Sequence, residues 1–119
     1  MKPILLIVDD EIRVLSALRR TLRKEGYEIL LASSPQEALK FIGDYEINAI
    51  LSDHKMPGMS GLEVLAEAQR QRPNAARILI SGWPEAVEPA ELAALDVHAL
   101  LPKPWDDAEL KSELARALR

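Results

Sequence analysis

Five short runs of β-favouring apolar residues recur along the chain, each followed by a stretch whose apolar residues repeat at helical spacing. That alternation restricts the fold more than any other feature, because it leads to a parallel sheet covered on both faces by helices, with right-handed crossovers. The first run, Ile4–Val8, contains no polar residue and stops at three carboxylates, Asp9, Asp10 and Glu11. An unbroken apolar strand with an abrupt polar end is what a strand buried on both faces and open at its carboxyl end requires. From Ile12 the period changes. Ile12, Leu15, Leu18 and Leu22 share one helical face, Arg13, Arg19, Arg20 and Arg23 lie off it, and Gly26 offers a stop.

The pattern then repeats. Glu28–Ala32 reads as a second strand, and Ser34-Pro35-Gln36-Glu37 supplies an N-cap, a proline suited to the first helical position and the glutamate of a capping box, for a helix ending near Gly43. Residues Ile47–Ser52 form a third strand. Ser60-Gly61-Leu62-Glu63 is another capping box, with Leu62, Leu65 and Ala66 on the buried side of a third helix that Pro73 closes. Arg77–Ile80 and Val97–Leu101 are the fourth and fifth strands, and Leu110, Leu114 and Leu118 make a stripe on a last helix capped by Asp106 or Asp107. Pro84 and Pro89 interrupt the segment between those strands. An interior proline costs roughly 3 kcal/mol, so the fourth helix begins at or after Glu88 and is short.

At 119 residues and 48% hydrophobic content the chain is expected to form one domain over residues 1–119 around one core. A net charge of −4 supplies no global basic field to attract nucleic acid or an anionic membrane. The absence of cysteine excludes disulfides and thiolate metal sites. Five apolar residues near the amino terminus are too few for a signal peptide or a membrane span, so a soluble, cytoplasmic protein is expected. No linker, repeat or low-complexity tract interrupts the pattern, and because the sequence stops with the fifth helix no output domain is expected within it.

The chemistry-bearing residues fall at strand ends. Asp9, Asp10 and Glu11 follow the first strand, Asp53 the third, Ser81 ends the fourth and Lys103 follows the fifth. If the sheet order is 2-1-3-4-5, these strands are neighbours and the groups meet in one pocket beyond the carboxyl ends, where ligands of open α/β sheets bind. Three close carboxylates resist joint ionisation unless a cation sits among them, and a hard oxygen-liganded ion such as Mg²⁺ answers that need. Acidic residues after strands also serve as helix caps, and Asp10 or Glu11 suits that use. Caps do not account for Asp53 and Lys103 at two other strand ends.

Taken together, Asp9-Asp10-Glu11, Asp53 followed by Met56-Pro57-Gly58-Met59-Ser60-Gly61, Ser81-Gly82 and Lys103-Pro104-Trp105 resemble the chemotaxis-regulator-like receiver domains of bacterial two-component response regulators, over essentially the whole chain. The resemblance implies a flavodoxin-like (βα)5 three-layer sandwich with a five-stranded parallel sheet of order 2-1-3-4-5. It implies a signalling module whose only chemistry is its own phosphorylation and dephosphorylation. A histidine kinase or phosphotransfer protein donates a phosphoryl group to Asp53 with Mg²⁺, or Mn²⁺ in its place, and partner binding switches. By position, Asp53 is the phospho-acceptor, Asp10 a direct metal ligand, Asp9 a ligand through water, and the backbone carbonyl of Lys55 a further ligand. Phosphoryl transfer spreads charge over three equatorial oxygens, so the site must position groups and neutralise those oxygens. Mg²⁺ would cover one and the Lys103 ammonium another, with the Ser81 hydroxyl and a backbone N–H near His54 for the remainder. Gly82 keeps the approach open, and Pro104 suits a cis peptide beside Lys103. Implied partners also include an output domain, fused or separate, and a second copy docked through the fourth helix, fifth strand and fifth helix. Direct nucleic-acid or membrane binding is not expected. The Lys103-Pro104-Trp105-Asp106-Asp107 stretch looks like receivers joined to cyclic-di-nucleotide phosphodiesterase or kinase modules.

Departures from the family pattern are informative. Leu100 stands where many receivers carry an aromatic switch residue, with His98 two positions earlier, so a conformational response is expected through Ser81 and the proline-flanked fourth helix. Lys55 and Trp83, two positions after Asp53 and Ser81, either obstruct the water that hydrolyses the acyl phosphate or point into solvent. Met56 and Met59 read as packing residues, Trp105 as an anchor of the last helix, and the first helix's arginines as a solvated face or a kinase dock. Two other functions fit parts of the pattern. A haloacid-dehalogenase-like phosphatase shares the Asp nucleophile and Mg²⁺ but wants a second Asp where Lys55 stands. A degenerate receiver that binds partners without phosphorylation has no need of the full site.

Overall fold

In the computed structural model, which describes residues 2–118, the alternation resolves into β1 (Ile4–Val8), α1 (Ile12–Leu22), β2 (Glu28–Ala32), α2 (Pro35–Asp44), β3 (Ala49–Asp53), α3 (Gly61–Gln71), β4 (Ala76–Ser81), a 3₁₀ turn (Pro84–Ala86), α4 (Pro89–Ala94), β5 (Ala99–Pro102) and α5 (Asp107–Ala117). All neighbouring strands pair parallel, in the order β2-β1-β3-β4-β5. This is the flavodoxin-like three-layer sandwich. Side chains alternate between its two faces. Leu6, Val8, Ile50 and Leu79 pack with Ala38, Ile42, Val64 and Leu65 of α2 and α3, while Leu5, Ile7, Leu51, Ile78 and Ile80 pack with Leu15, Leu18, Leu22, Leu110 and Leu114 of α1 and α5. Burial on both sides explains why the strands read as continuous apolar runs.

Local signals set the helix starts. Ser34 accepts from Glu37 N–H at 3.2 Å, Ser60 from Glu63 N–H at 3.3 Å with the Glu63 carboxylate returning to Ser60 N–H at 3.2 Å, and Asp106 from Glu109 N–H at 2.8 Å. In α2 the glutamate reaches Ser33 N–H at 2.7 Å, so its box is displaced by one residue. The fourth helix begins at Pro89, spans six residues and has none fully buried.

Several expectations are corrected. The third strand is Ala49–Asp53, not Ile47–Ser52, because the register continues through Asp53, which pairs with Ile80. The fifth is Ala99–Pro102, since Val97 N–H is taken by Leu92 O, closing the end of α4. Gly43 lies within α2, which runs to Asp44 and closes with Tyr45 N–H on Phe41 O. The inward stripe of α3 is Gly61, Val64, Leu65 and Ala68, and Ala66 is exposed, because the helix phase starts from Gly61. Ile12, at the first turn of α1 beyond the sheet, is 70% exposed. No helix among the described residues is long and apolar enough to cross a membrane.

Candidate functional site

The carboxyl ends of β1, β3, β4 and β5 lie side by side, so the polar residue closing each apolar strand arrives in the same place. Asp9 is fully buried. Its N–H continues the ladder to Ala32 O at 3.1 Å, one carboxylate oxygen accepts from Glu11 N–H at 2.9 Å, and the other accepts from Lys103 Nζ at 2.9 Å. The same ammonium reaches Asp53 Oδ1 at 3.3 Å. Asp10 sits at the exposed rim, and one carboxylate oxygen from each of Asp9, Asp10 and Asp53 lies within 4.8 Å of the others. Glu11 is exposed and contributes its backbone.

Burial and the neighbouring Asp9 charge push the Asp53 carboxyl above its ordinary pKa, against the opposing pull of the Lys103 ammonium. Burial works against the Lys103 charge, but its hydrogen bond to Asp9 and the charges of Asp53 and Asp9 outweigh that and raise its pKa. The cluster therefore keeps an excess of negative charge that one ammonium does not cancel. The donor set is all oxygen and closely spaced, which fits a hard divalent cation.

Ser81, 1% exposed, ends β4. Its Oγ accepts from Trp83 N–H at 3.1 Å, and its carbonyl accepts from Lys103 N–H at 2.9 Å, tying the fourth and fifth strand ends together. The Lys103–Pro104 peptide is cis, as expected. The side chain of Lys55 is exposed and the Trp83 side chain is 66% exposed. Leu100 packs against the apolar layer shared with Leu92 and Leu95 of the α4 region. His98 is exposed. Met56 and Met59 join the same apolar layer, and Trp105 packs beside α5 with its Nε1–H on Asp107 at 3.0 Å.

Two residues of the site were not singled out from the sequence. A Cβ on Gly61 would fall 1.9 Å from the Asp53 carbonyl oxygen, so α3 begins where only glycine fits. The signal was a glycine inside a capping box, where a better helix former would otherwise serve. His54 was considered for its backbone alone. Its N–H donates to Ile80 O at 3.0 Å while also favouring the charged form of Asp53, and its ring Nδ1 lies 3.4 Å from Ser81 Oγ. A cavity of about 570 Å³ opens at the opposite end of the sheet around Ile4, Asn48 and Arg72 and holds none of these groups.

Comparison with known proteins gives a consistent result. A family model described as the response regulator receiver domain matches residues 5–115. The chain is 38% identical over 101 residues to the hydrogenase transcriptional regulatory protein HoxA of Cupriavidus necator, covering 84% of this chain and 21% of that one. It is 30% identical over 110 residues to the aerobic respiration control protein ArcA of Escherichia coli, covering 91% and 45%. The chain thus spans less than half the length of these relatives. Among solved structures, a CheY-like response regulator receiver domain protein from Methanospirillum hungatei superposes with a TM-score of 0.93 at 29% identity, covering 99% of this chain and 94% of that one. The signal receiver domain of an HD domain-containing protein from Pseudomonas fluorescens superposes at 0.89 with 30% identity, covering 99% and 95%.

Proposed function

The chain belongs to the response regulator receiver domain family, and from that premise we propose that it accepts a phosphoryl group from a histidine kinase or phosphotransfer protein onto Asp53 and thereby changes its affinity for a partner. The observation that carries the reading is the Lys103 ammonium hydrogen-bonded to both Asp9 and Asp53 beside the buried Ser81. In the transfer an Asp53 carboxylate oxygen attacks phosphorus and the N–P bond of the donor's phosphoimidazole breaks. The bonding pair returns to the ring nitrogen, and with a proton on its other nitrogen the ring leaves as neutral imidazole. Lys103, already within reach of Asp53, moves its charge onto a phosphoryl oxygen, and the Ser81 hydroxyl donates to another.

Asp10 and Asp53 directly, Asp9 through water and the Lys55 carbonyl are the residues proposed to hold Mg²⁺ or Mn²⁺, which when bound neutralises developing charge on the phosphoryl oxygens. Buried Asp9 is further committed to Lys103 and Glu11, whereas Asp10, exposed at the rim, has no side-chain hydrogen bond or ion pair among the described residues. This division supports unequal roles for the adjacent aspartates. The same premise supports residues 1–119 as one receiver domain, an output domain in the same or another chain, and pairing of two copies through α4, β5 and α5.

The test is intact-mass measurement after incubation with phosphoramidate and Mg²⁺. Uptake of one phosphoryl group is expected, abolished by a chelator and in Asp53→Asn. Partner binding with no uptake would instead support a receiver that acts without phosphorylation, and turnover of phosphomonoesters would support a phosphatase.

A further inference from the structure

Ser81 Oγ is engaged on two sides, by Trp83 N–H at 3.1 Å and by the His54 ring, whose Nδ1 is 3.4 Å away. The Trp83 donor occupies one lone pair of the hydroxyl. Its single hydrogen is then free for the imidazole nitrogen, which accepts it when the ring hydrogen sits on Nε2. We propose that His54, through Nδ1, is a positioning residue that holds the Ser81 hydroxyl in its unphosphorylated setting and must release it when Asp53 is phosphorylated. The inference rests on the reading of Asp53 as phospho-acceptor.

Three features carry it. First, the His54 backbone is fixed from both sides, with its N–H on Ile80 O at 3.0 Å and its carbonyl accepting from Gly61 N–H at 2.7 Å. The main chain therefore cannot follow Ser81, and only the ring can respond. Second, Ser81 is 1% exposed, so its hydroxyl needs a protein partner, and among the described residues His54 is the side chain that provides one. Leu100, which pairs with Leu79 across β4 and β5, has no polar atom to offer. Third, a hydroxyl carries one hydrogen and serves either the imidazole or a phosphoryl oxygen. At 3.4 Å the imidazole contact is long. It yields readily to a charge-assisted bond with a phosphoryl oxygen, which is roughly twice as strong as a neutral one.

The exchange has a surface consequence. When the Ser81 hydroxyl turns to the phosphoryl group, the His54 ring loses its donor, and the accompanying shift of the oxygen strains the bond it accepts from Trp83 N–H. Trp83 is 66% exposed and immediately precedes the 3₁₀ turn that leads to α4. Release of the hydroxyl thus loosens a surface segment without any contribution from residue 100.

Beryllofluoride with Mg²⁺, a stable mimic of the acyl phosphate, is titrated into the full chain as wild type, His54→Leu and His54→Asn, following imidazole ¹⁵N signals. Asparagine places an oxygen near the position of Nδ1, whereas leucine fills space without an acceptor. His54→Leu is expected to bind the mimic roughly two- to tenfold tighter than wild type, having no hydrogen bond to surrender. His54→Asn should return to the wild-type value, and the wild-type Nδ1 signal should move from a hydrogen-bonded to a free nitrogen as the mimic binds. Equal affinities for Leu and wild type, or an Nδ1 that carries its own hydrogen, would overturn the role of His54 while leaving Asp53 as acceptor. Failure of the wild type to take up both the mimic and phosphate would instead remove the phospho-acceptor reading beneath it. Ser81→Ala gives a check independent of the folding of the His54 variants. Its Nδ1 signal should already be free before the mimic is added, and an unchanged signal there would also defeat the proposal.

Discussion

At the residue scale, the proposed function and stability conflict at Asp53. Its carboxylate is held where burial and Asp9 both oppose ionisation. An acid whose folded pKa is raised contributes stability below its unfolded pKa that is lost as pH rises through the folded value. In the presence of a chelator, Asp53→Asn should therefore raise the thermal midpoint at neutral pH by a few degrees, the size of roughly 1 kcal/mol in a domain of this length. The gain should vanish in acid, where the wild-type carboxyl is protonated, and a pH-independent difference would exclude this electrostatic origin. Asp9, Asp53, Ser81 and Lys103 were legible as candidates because each closes or follows an apolar strand with a polar group, and helix capping does not account for the whole set. His54 and Gly61 were not, since their significance lies in what a neighbouring strand and helix bring against them. Trp83 makes a further prediction. With its side chain 66% exposed and its backbone N–H as the group that meets Ser81, Trp83→Ala should leave the rate of phosphate loss unchanged. Faster loss in the variant would show that the indole screens the acyl phosphate from water.

At the element scale, the starts of helices were easier to read than their faces or the limits of strands. A capping box announces where α3 begins, but its phase depends on Gly61 lying against the Asp53 carbonyl, which no local pattern records. The third strand reaches Asp53 because β4 offers a partner at Ile80. Arg77 shows the same limit. It reads as a polar residue opening a strand, yet it is 4% exposed. Its guanidinium donates to Leu95 O at 2.7 Å, Ala75 O at 2.9 Å and Pro73 O at 3.3 Å, joining the end of α4 to the turn before β4. Asp96, at a φ of 49°, lies 3.8 Å from it but is exposed and adds little. Arg77→Met would leave those carbonyls without their donor and should destabilise the domain by roughly 2–4 kcal/mol. Denaturant unfolding would measure this, and amide exchange should quicken first at Leu92–Val97. A variant as stable as wild type would mean that water replaces the guanidinium.

At the scale of the whole molecule, the sequence indicated a parallel sheet with both faces covered, but periodicity says which way side chains point and not which strands are neighbours. The order 2-1-3-4-5 came from family resemblance, and the site depends on it, since β1, β3, β4 and β5 must lie side by side for Asp9 and Lys103, 94 positions apart, to meet. A chain of net charge −4 that gathers three carboxylates at one end of its sheet should be stabilised by a divalent cation binding the folded state alone. At a hundredfold excess over the dissociation constant the gain is roughly 2.7 kcal/mol, so the thermal midpoint should climb with Mg²⁺ and level off only logarithmically. Asp10 is exposed and among the described residues makes no side-chain hydrogen bond or ion pair, so Asp10→Asn, which removes one of three close negative charges, should melt no lower than the wild type in chelator yet lose most of the response to Mg²⁺. Sodium chloride at matched ionic strength supplies the control, since screening alone acts on both proteins alike. If Mg²⁺ and sodium shift the wild type equally, or if Asp10→Asn follows the wild-type curve, the carboxylates gathered at the strand ends do not form a metal site.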